Sequence, residues 1–328
     1  MPAAFRTTRR IAVALLATAA LGALAACSSG SPASAGAPTE STTRVVSTAK
    51  GDVTVPAHPK RVVSVQSWTT ESLIDLGITP VAVEDPGEEY VPGRYLDVWK
   101  GADKVTSGAD IDFEKIAALK PDLIVGVDVP YLDSAYAKLS AIAPTAFVAW
   151  DNAKPWSNYP QATADFVNRD AALAKLKKQY EDKLAEVKAK YATELADTKW
   201  DVIQGGFDAG NYWIYSEDAS AAGQVLTALG AQFASATSGV AAADTTKSVS
   251  YEQADLLSDA DAIIYYQNSD GSPANNIDKL FALPAWKRLP AVQSDSVVGT
   301  PDFLAGSYQD FLGLLGSIED YLAKAAQR

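Results

Sequence analysis

One pattern occurs twice in this chain, and it limits the fold more than any other feature. Asp112-Phe113-Glu114-Lys115-Ile116-Ala117-Ala118-Leu119, followed by the strand-like Leu123-Ile124-Val125, pairs with Ser250-Tyr251-Glu252-Gln253-Ala254-Asp255-Leu256-Leu257, followed by Ala262-Ile263-Ile264, with one extra residue before the second run. Leu76-Gly77 pairs in the same way with Leu229-Gly230. A helix-then-strand unit present in both halves predicts two variants of one α/β lobe with mostly parallel sheets, and the alternation of strands and helices around it agrees. In such sheets a ligand sits outside the carboxyl ends of the strands, so two facing lobes make a ligand cleft between them.

The first lobe is expected over residues 45–155. It opens with a hairpin, Val45 to Ala49 and Val53 to Val55 around Lys50-Gly51-Asp52. Strands follow at Arg61–Val65, Val81–Val83, Leu123–Val125 and Thr145–Trp150, with Gly77 ending the first helix. Residues 156–196 are read as a linker helix region. Leu173, Leu176, Tyr180, Leu184, Val187, Tyr191 and Leu195 step by three or four residues along one face. The preceding segment, Trp156 to Val167, is a separate helix, because Asn168-Arg169-Asp170 resembles a stop and a new cap. Residues 197–328 form the second lobe, with strands at Val202–Gln204, Trp213–Tyr215, Ala262–Tyr266 and Val297–Val298.

The N-terminus sets the compartment. Arg6, Arg9 and Arg10 precede an apolar run, Ile11 to Leu24, too short to span a bilayer and ended by small residues, so residues 1–26 read as a cleaved secretory signal. Ala12 and Val13 follow Arg9-Arg10 where a twin-arginine signal prefers larger apolar residues. Leu24-Ala25-Ala26-Cys27 has the form of a bacterial lipobox, in which the thiol is acylated and becomes the first mature residue. Cys27 is the only cysteine of 328 residues, which excludes an intrachain disulfide. Residues 27–44 then form a tether rich in Ser, Ala, Gly, Pro and Thr, with a reach of roughly 20–25 Å. The expected place is the extracytoplasmic face of the cell membrane, with the protein anchored through Cys27 as a monomer. The formal charge is −12, and removing a signal with three arginines and no acids makes the mature chain more acidic still. Nucleic-acid binding is thereby disfavoured.

Four stretches carry a family resemblance. These are Val53-Thr54-Val55-Pro56 leading to Pro59-Lys60-Arg61-Val62-Val63-Ser64, then Leu76-Gly77-Ile78-Thr79-Pro80-Val81, then Phe113-Glu114 through Lys120-Pro121-Asp122-Leu123-Ile124, and finally Ala285-Trp286-Lys287 through Leu289-Pro290-Ala291-Val292. In order and spacing they resemble the iron-siderophore and cobalamin binding proteins of ABC importers, from about residue 45 to the C-terminus. The resemblance implies two α/β lobes on one long helix with little closure, capture of a ferric siderophore, and delivery to permease subunits. Haem or cobalamin remains open as the ligand. It also implies that Glu114 and Glu252 meet arginines of the permease. Each would equally be favoured in the first turn of a helix by the dipole, by about 0.3–1 kcal/mol.

Ligand-binding candidates follow the strand ends: Trp68, then Tyr90, Arg94 and Tyr95, then Tyr131, then Trp150 in the first lobe, and Phe207, Tyr212, Trp213, Tyr266, Phe303 and Tyr308 in the second. Aromatic side chains in such loops suit flat contacts with a large organic ligand, although each taken alone is equally compatible with ordinary packing. Tyr215 and Trp286 are assigned to the core. Relatives often carry an arginine before the first docking helix; here that turn reads Gly108-Ala109-Asp110, which leaves Arg94 as the basic candidate. The cleft loops hold Glu84, Asp85, Glu88, Glu89, Asp110, Asp128, Asp133, Asp151 and Asp208 against Arg94 and Lys154, a balance that favours neutral or cationic ferric hydroxamates over a ferric tris-catecholate.

Other classes lack their residues. The only histidine, His58, precedes Pro59 in an expected surface loop, so no imidazole or thiolate set for a transition metal is available. A resident cofactor is not expected, with iron arriving inside its ligand. There is no G-x-S-x-G, P-loop or dinucleotide fingerprint, and a Ser-His-Asp triad would have to use His58, so a lipid-anchored enzyme is the weaker alternative.

Overall fold

A computed structural model describes residues 42–150, 158–208, 210–241 and 243–328. Cys27, the signal, most of the tether, Asp151 and Lys154 lie outside the described residues. An antiparallel hairpin, β1 (Thr43–Thr48) and β2 (Gly51–Pro56), opens the fold, with Thr48 opposite Gly51. Gly51 adopts φ +97°, a left-handed conformation that a side chain would disfavour at this tight reversal.

The first sheet contains β3 (Val62–Ser64), β4 (Ala82–Glu84), β5 (Asp103–Ser107), β6 (Asp110–Ile111), β7 (Leu123–Val127) and β8 (Thr145–Val148), in the order β6-β5-β4-β3-β7-β8. Every pairing is parallel except β5 with β6. All residues of β3, β7 and β8 are buried, as expected for strands covered on both faces. From β3 the chain winds outward through β4, β5 and β6 and then returns to β7 on the other side of β3, so the order reverses between β3 and β7, and this is where a ligand crevice opens.

The second sheet comprises β9 (Lys199–Gly205), β10 (Asn211–Tyr215), β11 (Gln232–Phe233), β12 (Thr246–Ser250), β13 (Ala262–Tyr266) and β14 (Val297–Thr300). Strands β11 and β13 run parallel to β9, and β14 parallel to β13, whereas β10 is antiparallel to both β9 and β12. Alternate residues of the central strands serve two cores. Val202, Ala262, Ile264 and Tyr266 join the core shared with the first lobe, while Ile203, Ile263 and Tyr265 face a second core with Tyr212 and Trp286. Tyr215 and Trp286 are buried.

The repeated pattern becomes repeated structure. Gly77 and Gly230 end equivalent helices at φ +76° and +80°. Gly77 N donates to Ile74 O and Ile78 N to Leu73 O; Gly230 N donates to Thr227 O and Ala231 N to Leu226 O. Both ends therefore carry the same paired hydrogen bonds over a left-handed glycine. The units containing Glu114 and Glu252 diverge. The first is an α-helix, Phe113–Ala118, capped by Asp112, whereas Tyr251–Leu257 is a 3-10 segment capped by Ser250. Tyr251, Ala254 and Leu257 are its buried residues, a spacing of three that matches the three-residue turn.

Between the sheets the chain forms helices Tyr159–Val167, Asp170–Lys190 and Ala192–Asp197. Asn168 closes the first at φ +56°, and Tyr191 interrupts the long stripe with non-helical angles. The 18-residue helix Tyr308–Ala325 packs along Asp170–Lys190, with Phe311 and Tyr308 against Tyr180 and Lys183 Nζ 2.7 Å from Glu319. Among the described residues, no helix is long and apolar enough to cross a membrane.

Candidate ligand cavity

A cavity of about 810 Å³ lies where the carboxyl ends of both sheets meet. Its size falls within the range of small-molecule sites. Strand β3 delivers Gln66 and Ser67 and starts the helix Ser67–Asp75, which brings Trp68 and Glu71 to the wall. Gln66 caps that helix by accepting from Trp68 N at 2.7 Å. The loop after β4 supplies Tyr90, Tyr95 and Trp99, and the loop after β7 supplies Tyr131. From the second lobe come Phe207 after β9, Tyr266 and Asn275 after β13, and Asp302 after β14.

Some aromatic side chains are held across the lobes and others stand more exposed. Trp68 stacks on Tyr159 at 5.1 Å and donates Nε1–H to Leu304 O of the other lobe at 3.0 Å. Trp99 donates to Glu84 O at 3.0 Å, and Lys104 Nζ lies 4.0 Å from its ring centre. Tyr266 is stacked on Phe303 and tilted against Tyr90. By contrast, Tyr131 is 42% and Phe207 76% exposed, one from each lobe. Phe207 and Trp213 meet edge to face at 4.9 Å.

The charged lining is acidic: Glu71, Glu84, Asp278, Asp302 and Asp310, with no lysine or arginine among the described lining residues. Burial raises the Glu84 carboxyl above its usual range against two hydrogen bonds from Ser67. Burial likewise brings Asp302 to about 6, although Arg94 pulls it down. The phenol of Tyr131 is pushed up to about 12 by burial and then by Glu84.

Below the cavity the lobes are bonded together. Arg94 spans to Asp302 and Asp310, with Nη1 2.5 Å from Asp310 Oδ1. Burial works against the guanidinium charge, but Asp302 and Asp310 outweigh it and hold the pKa above its ordinary value. Tyr95 Oη lies 2.8 Å from Ser307 Oγ and donates to Asp310, and Ser72 Oγ donates to Gly306 O. Near the mouth, Ser269 N donates to Glu89 O and Ser269 Oγ to Val91 O. Gly313 permits the central contact, since a Cβ there would collide with Asp302 Oδ2 and Arg94 Nη2.

Of the candidates read from strand ends, Trp68, Tyr95, Tyr131 and Tyr266 line the cavity, with Tyr90 and Phe207. The structure places the other six elsewhere. Arg94 is committed to the lobe contact. Trp150 follows β8, an edge strand one position beyond those that open on the cavity. Tyr212 is fully buried in the second core, where its hydroxyl bonds Gln253 O, and Trp213 backs Phe207. Phe303 is buried behind Tyr266. Tyr308 lies in the first turn of the C-terminal helix, against Tyr180.

Among the described loop acids read from sequence, only Glu84 lines the cavity. Asp128 and Asp133 bind Lys50 instead. Glu71, Trp99 and Asp310 are lining residues that the strand-end rule does not reach, because helices carry them there. Glu114 and Glu252 are both exposed, each in the first turn of its helix. His58 is exposed in a bend. Among the described residues, no three His, Cys, Asp or Glu side chains are grouped to hold a metal ion.

Residues 62–303 match the family described as periplasmic binding protein. The chain is 30% identical over 328 aligned positions, covering 92% of it and 94% of the relative, to a protein of Bacillus subtilis (strain 168) named as a probable siderophore-binding lipoprotein. Its fold superposes with a TM-score of 0.72 on the siderophore periplasmic binding protein from the fuscachelin gene cluster of Thermobifida fusca, at 28% identity over 82% of this chain and 98% of the other. The Staphylococcus aureus protein SirA, in complex with staphyloferrin B, superposes with a TM-score of 0.68 at 25% identity, covering 86% and 98%.

Proposed function

The chain belongs to the periplasmic binding protein family, and we propose that it captures a ferric siderophore of the hydroxamate type outside the cell and delivers it to an ABC importer. It is a binding protein of a transport system and not an enzyme. The observation that carries the ligand class is the lining by described residues: aromatic faces from both lobes, five carboxyl groups, and no lysine or arginine among them. A ferric tris-catecholate carries about three negative charges and needs cationic donors. Two like charges about 8 Å apart at an effective dielectric of 20 repel by about 2 kcal/mol, so even one ionised wall carboxylate outweighs a tenfold preference. A neutral or cationic ferric hydroxamate avoids that repulsion, and Trp68, Trp99, Tyr131 and Phe207 offer it flat contacts.

Iron enters within its chelator, so the protein supplies no iron ligand and needs no cofactor. Residues 1–26 are proposed as the signal, 27–44 as the tether acylated at Cys27, and 45–155 and 197–328 as the lobes, joined through 156–196. Glu114 and Glu252, exposed at matching places on the two lobes, are proposed to meet basic residues of the permease.

Titration of the mature protein with ferric siderophores, following tryptophan emission, tests capture. Because Trp68 and Trp99 line the cavity, saturable one-to-one quenching without turnover is expected, and a flat response to every siderophore would overturn the proposal. Cys27→Ala is expected to release soluble protein that still binds; retention at the membrane after export would overturn the anchor.

A further inference from the structure

Glu71 differs from the other acids of the cavity because nothing balances it. Its helix carries it to the wall, its carboxyl meets that of Asp310 through a hydrogen bond that only a proton on one of the two acids can supply, and its Oε2 has no hydrogen-bond partner among the described residues. The charged and titratable groups around it come from every neighbouring element. Asp302 and Asp310 approach from the second lobe, Arg94 and Tyr95 from the loop after β4, Asp75 from its own helix, and Tyr266 from β13. Arg94 is the only cation in this set, and it is already bonded to Asp302 and Asp310. Asp75 accepts from Gln309 N at 3.1 Å and lies 3.1 Å from Tyr95 Oη. Glu71 is therefore the carboxyl left over.

A buried carboxylate without a partner is unstable, and either a proton or a cation must neutralise it. Burial first, and then Asp310, raise the Glu71 pKa well above its usual range, so the proton fills that role in the empty cavity. We propose that Glu71 is the subsite for a cationic group of the ligand, a primary ammonium at the end of a linear ferric hydroxamate, which replaces the carboxyl proton on binding. The ammonium keeps its own hydrogens and donates to the carboxylate, and the displaced proton goes to the buffer. This assignment rests on the hydroxamate reading of the cavity.

The test uses the mature full-length protein and two probes: the ferric complex of a linear tris-hydroxamate with a terminal primary amine, and the same complex with the amine acetylated. The amine form is expected to bind at least about tenfold more tightly. Calorimetry at pH 7 in two buffers of different ionisation enthalpy is expected to show release of about one proton for the amine form and none for the acetylated form. In Glu71→Gln the ratio of the two affinities is expected to fall towards one. Equal binding of the two forms to wild type overturns the subsite and leaves the hydroxamate reading intact. A ratio that survives in Glu71→Gln moves the subsite to another residue and overturns the assignment. Failure of both forms, with tight binding of a tris-catecholate, overturns the hydroxamate reading and this inference together. Should Glu71→Gln fail to fold, the wild-type ratio and proton count still decide.

Discussion

Arg94 and Asp302, 208 residues apart in sequence, meet through two hydrogen bonds, Nη1 to Oδ1 at 2.6 Å and Nη2 to Oδ2 at 2.8 Å. The pair joins the loop after β4 to the turn after β14, so it ties one lobe to the other beside the cavity. Asp302 is 4% exposed and Asp310 1%, which makes their charge costly without the guanidinium.

Gly313→Ala tests this tie without replacing a charged group. The added methyl would collide with Asp302 Oδ2 and Arg94 Nη2. A loss of about 1–3 kcal/mol in denaturant unfolding is expected, the usual cost of overpacking. A stability unchanged from wild type would mean that the contact yields at no cost.

Asp201 gives a pH signature. It is fully buried on β9, Oδ1 accepts from Thr237 N at 2.9 Å, and burial raises its pKa to about 6. Its pKa is higher folded than unfolded, where it is about 3.9, so the native state binds more protons between about pH 4 and 6. The contribution of Asp201 to stability is therefore greatest below about pH 4 and falls as pH rises to about 6. Comparing wild type with Asp201→Asn in urea, the difference is expected to move against wild type by about 2–3 kcal/mol between pH 4 and pH 7. A difference independent of pH would contradict the raised pKa.

Phe207 separates binding from stability. At 76% exposure it contributes little to folding, yet it stands at the cavity opposite Tyr131. Phe207→Ala is expected to leave the melting temperature within about 1 °C, a surface effect. Siderophore affinity should weaken by about 1–2 kcal/mol, the range for a lost aromatic contact. An unchanged Kd would remove Phe207 from the site.

For Glu114 and Glu252, replacing both with lysine is expected to leave the siderophore Kd within a few-fold of wild type and to abolish uptake in cells. Both side chains are exposed and neither lines the ligand cavity. Unchanged uptake would return them to their helix-terminal role.

Much of this architecture is legible in the sequence because it is local. Gly77 and Gly230 mark helix ends through their own backbone conformation, and Trp68, Tyr131 and Tyr266 lie within a few residues of strand ends. The C-terminal helix was equally available, in Ser307 as cap and in Phe311, Leu314, Leu315, Ile318 and Leu322 at helical spacing. Taken as loop residues, Phe303 and Tyr308 resemble ligand contacts; in the fold one is buried and the other packs on Tyr180. What spacing cannot reveal is pairing at a distance. Arg94 looks free until Asp302 and Asp310 arrive from the other lobe, and Glu71 looks like an exposed helical acid until the turn at Gly306 closes over it. The acidic character is present in both accounts, but different residues carry it.

Equilibrium competition between a neutral ferric tris-hydroxamate and a ferric tris-catecholate for the mature protein, at low and at high salt, tests the central claim most directly. The hydroxamate is expected to bind at least about tenfold more tightly, about 1.4 kcal/mol. The deficit of the catecholate should narrow as salt screens the wall carboxylates. Tighter binding of the catecholate, or a preference insensitive to salt, would contradict the account.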